Sequence, residues 1–133
     1  MKKPGKIIGM LSLFVLCLSL LVVPAYAGKT TFSAATVKNG STTRWHPTNN
    51  TNGWSISNGI SATLYFAMGS AEKNVKGGIY RPDNNTNYQA CSGSGSTTMK
   101  GSKKSPASTR YKAYFTNNAA SSVSVKNTSY ISF

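Results

Sequence analysis

"ISATLYFAMGS" (residues 60–70) sets Ile60, Ala62, Leu64, Phe66 and Met68 on one parity and Ser61, Thr63, Tyr65, Ala67 and Gly69 on the other. On a helix these five apolar residues would scatter around the axis. In an extended chain successive side chains point to opposite sides, so all five share one face. The two-residue period therefore predicts a half-buried β-strand.

The same alternation recurs in "RYKAYF" (110–115), with Tyr111, Ala113 and Phe115 on one face and Arg110, Lys112 and Tyr114 on the other. In "SSVSVKN" (121–127), Val123 and Val125 point inward, and Ser122, Ser124 and Lys126 outward. The intervening "TNNAAS" (116–121) has turn composition, which predicts a hairpin of these two strands. Weaker strand patterns cover 30–38, 53–57, 77–81 and 129–133, separated by clusters of Asn, Gly, Ser and Pro. No stretch beyond the N-terminus carries a useful 3.6-residue apolar period. About seven short strands at this spacing predict an all-β fold, a small antiparallel β-sandwich or partly open barrel. The Gly/Ser/Lys-rich stretch 93–105 reads as a mobile loop.

The N-terminus supplies the compartment. Lys2, Lys3 and Lys6 precede an apolar run from Ile7 to Val23, followed by "PAYA" (24–27). A basic start, an apolar middle and an Ala-x-Ala exit describe a cleavable secretory signal peptide over 1–27. What remains, 28–133, has the length of a single domain, expected to be secreted, extracellular and potentially associated with the cell wall. Cys17 leaves with the signal, so Cys91 stands alone. No disulfide can form within one chain, although Cys91 could join two chains in a dimer.

Charge is the most unusual feature. Of 15 Lys and Arg, 12 lie in 28–133 against two carboxylates, Glu72 and Asp83, giving the expected domain a net charge of +10. "MKGSKKSPASTRYKAYF" (99–115) concentrates Lys100, Lys103, Lys104, Arg110 and Lys112, and Lys126 follows without an intervening acid. A soluble domain with no charged partner usually mixes both signs, so an anionic partner explains the imbalance best. In the expected hairpin, Arg110, Lys112 and Lys126 surround an exposed Tyr114, a face suited to attracting and stacking on a phosphate-bearing ligand. A second aromatic candidate lies in "TRWHPTNNTNGWS" (43–55), where Trp45 and Trp54 bracket an Asn-rich loop. They are either sugar-contacting rings or core anchors.

Catalysis has little to work with. Its inventory is His46, Cys91, Glu72, Asp83 and ordinary hydroxyls. "QACSG" (89–93) approaches a cysteine-nucleophile pattern with His46 upstream, but its fourth position is Ser92 and the strand pattern lacks α/β alternation. One His and one Cys do not make a metal site. The sequence thus predicts a non-enzymatic protein with no cofactor or metal. Its expected partner is an anionic wall polymer, acidic polysaccharide or anionic lipid surface, with nucleic acid less favoured. The candidate contacts are Lys100, Lys103, Lys104, Arg110, Lys112 and Lys126 for anions, with Tyr114, Trp45 and Trp54 as aromatic contacts. Two alternatives use the same surface: an antibacterial effector, or an extracellular fibre subunit built by strand pairing.

Overall fold

The structure is a computed structural model that describes residues 28–133. The expected signal peptide lies outside the described residues. Those residues form eleven strands and no helix, arranged as two antiparallel sheets packed together.

The opening alternation becomes β5 (Ser61–Glu72), the centre of the first sheet, with Ala62, Leu64, Phe66 and Met68 all buried. One edge of β5 pairs with β8 (Ser96–Lys104). Its other edge is shared by β11 (Tyr130–Ser132) and β10 (Val123–Val125), which in turn pair with β1 (Lys29–Thr31) and β2 (Ala35–Val37). At the break between β10 and β11, the buried Ser129 hydroxyl accepts a hydrogen bond from the Ala67 amide at 2.9 Å. The side chain thereby replaces a missing backbone partner.

The second sheet repeats this plan around β9 (Thr109–Asn117). One edge of β9 pairs with β6 (Val75–Arg81), beyond which lies β7 (Thr86–Ser92). Its other edge is divided between β3 (Thr42–Trp45) and β4 (Trp54–Ile56). The inward parity of β9, Tyr111, Ala113 and Phe115, is fully buried, as the alternation predicts for that face. Phe66 and Phe115, from the two central strands, meet across the core with ring centroids 5.4 Å apart. Burial of each such side chain contributes about 1.5–3 kcal/mol.

Several expectations are corrected. The strands number eleven instead of seven, partly because 30–38 divides into β1 and β2 around Phe32, which turns into the core. The proposed hairpin does not form: β9 belongs to the second sheet and β10 to the first, so "TNNAAS" crosses between sheets. The crossing is fixed by Asn117, whose buried amide donates to the carbonyls of Val37 and Ser121 and accepts from the Ala119 amide, each at 2.8 Å. Every polar atom of that side chain is used, which is what a buried amide requires.

The stretch 93–105 is not a mobile loop, since nine of its residues form β8. Its small residues answer a packing demand. A Cβ on Gly101 would overlap the Ala90 carbonyl of β7, so the first sheet's β8 can lie against the second sheet's β7 only where the side chain is missing.

Candidate anion-binding faces

The outward face of the first sheet is built by register. Tyr130 on β11 lies opposite Tyr65 on β5, and Tyr65 lies opposite Lys100 on β8. Thr31 on β1 pairs with Tyr130, and Lys29, two residues earlier, shares its outward parity. The two tyrosines stack with centroids 5.2 Å apart and planes inclined by 21°. The Lys29 ammonium sits 4.1 Å from the centre of the Tyr130 ring. A line of cation, two rings and cation therefore crosses four strands, about 14 Å from β1 to β8. Lys104 extends it along β8 opposite Ser61, and a Thr63–Ser102 hydroxyl contact of 2.7 Å lies between. Glu72, seven residues along β5 from Tyr65, is roughly 20 Å away at strand rise, so no acidic side chain balances this face.

The outward face of the second sheet carries another cluster. Arg44 on β3 pairs with Tyr114 on β9, which pairs with Gly78 on β6. One step along, Lys112 pairs with Tyr80. The guanidinium of Arg44 reaches across β9 to lie 4.0 Å from the centre of the Tyr80 ring. Arg44 and Lys112 thus share one aromatic residue, two like charges held together with no acid between them. Lys76, opposite Thr116, and Arg110, opposite Ser55, lie on the same face. Arg110 donates to the Gly53 carbonyl at 3.1 Å.

These registers redistribute the residues singled out in the sequence. Lys100 and Lys104 share the first outward face, and Arg110 and Lys112 the second, on the opposite side of the molecule. Lys103 has the inward parity of Ala62 but stands exposed at the strand end. Lys126 is exposed in the β10–β11 link. The six cations do not form one patch.

Of the aromatic contacts, the exposed Tyr114 is corrected, and for the two tryptophans the core-anchor alternative holds. Tyr114 is only 1% exposed even though it points outward. Its partners across the sheet are Arg44 on β3 and Gly78 on β6, the latter without a side chain. Burial raises its phenol above the ordinary tyrosine range and keeps it neutral. Trp45 and Trp54 are core anchors: Trp45 stacks on Phe32 at 5.0 Å, and its indole donates to the Ser33 carbonyl at 2.9 Å. Residues missed in the sequence were Lys29, Tyr65, Tyr130, Arg44, Lys76 and Tyr80. Tyr65 and Tyr130 were signalled by their parity, each beside a buried Leu64 or Ile131, but their stacking required the β5–β11 register.

The remaining reactive groups do not converge. Cys91 points into the core from β7 and is a free, buried thiol, pushed up to about 11 by burial. His46 follows β3, which lies three strand spacings from β7 across the sheet, about 14 Å. The two therefore cannot act as a dyad, and a disulfide through Cys91 to a second chain would first require this edge to open. A cleft of about 470 Å³ is lined by Asn52, Pro82, Asp83, Thr109 and Arg110. Its carboxylate is already engaged, since Arg81 donates to both Asp83 oxygens at 2.6 and 2.9 Å and holds Asp83 below the usual carboxylate range.

No protein-family model matches the chain, and a search of curated proteins finds no match either.

Proposed function

We propose that this chain is exported with loss of residues 1–27 and binds anionic cell-envelope polymers outside the cell, through charge and without catalysis. One observation carries the reading: Lys29 and Lys100 flank a stacked tyrosine pair, with Lys104 further along β8, on a sheet face that has no acidic side chain. Holding like charges together without a counter-charge is unfavourable in the free protein and is relieved by an anion.

The ring geometry bears on which anion. Tyr130 stands between Tyr65 and the Lys29 ammonium, so its ring faces are occupied. Recognition of nucleobases relies on free aromatic faces. A non-planar phosphodiester needs only ammonium groups and phenol hydroxyls, which favours wall polymers over nucleic acid.

The test is retention of the 28–133 protein on purified Gram-positive walls across a salt series. Retention should fall steeply with salt, by about 0.7–0.9 in log affinity per log salt for each phosphate engaged, using nucleic-acid polyanions as the guide. Lys29→Gln/Lys100→Gln/Lys104→Gln should lower that slope by about 2–3 while leaving the circular dichroism unchanged. Retention indifferent to salt would overturn the reading. Loss of viability on whole cells would turn it towards the antibacterial alternative.

A further inference from the structure

The two cation clusters lie on opposite outer faces of the same sandwich. Sheets pack about 10 Å apart, and outward side chains add several ångströms on each side, so the clusters are separated by roughly 20 Å. The screening length at physiological salt is about 8 Å. A polyanion lying on Lys29, Lys100 and Lys104 therefore leaves the potential around Arg44, Lys76 and Lys112 almost unchanged. Neither cluster can neutralise the other, and among the described residues no acidic side chain pairs with Lys29, Lys100, Lys104, Arg44, Lys76 or Lys112. Asp83 is committed to Arg81, and Glu72 accepts a hydrogen bond from Ser70 at 2.9 Å.

From this arrangement we infer that the monomer is bivalent: it holds two phosphodiester polymer chains at once, one on each outer face, and so cross-links them. The inference rests on the binding function proposed above and adds a second, independent site. The second face is suited to the same ligand chemistry. Arg44 and Lys112 flank Tyr80 much as Lys29 and Lys100 flank the Tyr65–Tyr130 pair. Arginine further offers a planar fork that matches phosphate oxygens.

A two-layer capture experiment tests this. Poly(glycerol phosphate) is immobilised by one end, the 28–133 protein is bound, excess is washed away, and fluorescent poly(glycerol phosphate) is added. The wild-type protein should retain the second polymer. Lys29→Gln/Lys100→Gln/Lys104→Gln and Lys76→Gln/Lys112→Gln should each still bind the first layer but capture at least tenfold less of the second. The latter variant keeps Arg44 and its contact with the Tyr80 ring, so that the β3–β9–β6 packing is left in place. Light scattering of the free proteins should show monomers throughout.

If wild-type protein binds the first layer but captures no second polymer, bivalence is overturned and the binding function stands. If it does not bind the first layer, the binding function itself fails. Undiminished second-layer capture by both variants would also overturn the two-face assignment, as would loss of all first-layer binding in either one. Phosphatidylglycerol vesicles as the second layer distinguish lipid headgroups from polymer, and their capture in place of poly(glycerol phosphate) would overturn the polymer assignment.

Discussion

Replacing Asn117 should open the crossing between the sheets. Its amide satisfies the Val37 and Ser121 carbonyls and the Ala119 amide, and the side chain is wholly buried. In Asn117→Ala the exposed Ser121 segment can turn to water, but the buried Val37 carbonyl and Ala119 amide are left without this partner. Each such orphan costs about 1–3 kcal/mol, and with the small cavity the loss should be about 3–5 kcal/mol. A domain of this size has a total stability of about 5–15 kcal/mol, so the denaturation midpoint should fall by roughly a third or more. Guanidinium unfolding followed by fluorescence of the buried Trp45 and Trp54 measures this directly.

Asn117→Asp adds a sign. It keeps the acceptor for Ala119 but turns the two donated bonds into contacts of carboxyl oxygen with carbonyl oxygen. The ionised form is disfavoured when folded, so the folded-state pKa is raised, and the variant should lose stability relative to wild type as pH rises from about 4. An Asn117→Ala loss below about 1 kcal/mol, or an Asp variant whose deficit relative to wild type is smaller at pH 7 than at pH 4, would refute the role given to this amide.

Burial should protect Cys91 from thiol reagents at pH 8 in the native protein, with labelling only at the rate of unfolding. Because the folded thiol titrates near 11 instead of 9.0, the unfolded chain releases its proton first as pH rises. Stability should therefore fall between those pH values by about 2–3 kcal/mol more than in Cys91→Ala, as read by denaturation at each pH. Gly101→Val should lower stability by about 1–3 kcal/mol or more through overlap with Ala90, whereas Ser102→Val, on the exposed side of the same strand, should stay within about 0.5 kcal/mol in thermal melts.

Much of the fold was legible where alternation was strong. β5 and β9 announced both their extent and their faces, because each central strand buries one parity against the opposite sheet. Pairing was less accessible. Neighbouring strands often pair, and Asn-Asn-Ala-Ala-Ser looks like a turn, yet the buried Asn117 amide makes the same residues a crossover. β8 was hidden by composition, since Gly101, Ser102 and the lysines resemble a flexible linker, and only the approach of Ala90 explains why a side chain is excluded. At the site, the excess of cations was readable as a charge but not as two faces. Parity assigned Tyr114 outward correctly and still misjudged its exposure, because its neighbours across the sheet, Arg44 and Gly78, lie far from it in sequence.

One side of each sheet ends in interrupted strands, β1 with β2 and β3 with β4, none longer than four residues, while the other sides end in the longer β8 and β7. Along the interrupted strands an intruding peptide finds only a few consecutive free amides and carbonyls before the ladder stops. On these two sides the breaks shorten any ladder that a neighbouring copy could add, so strand-to-strand growth stops early there.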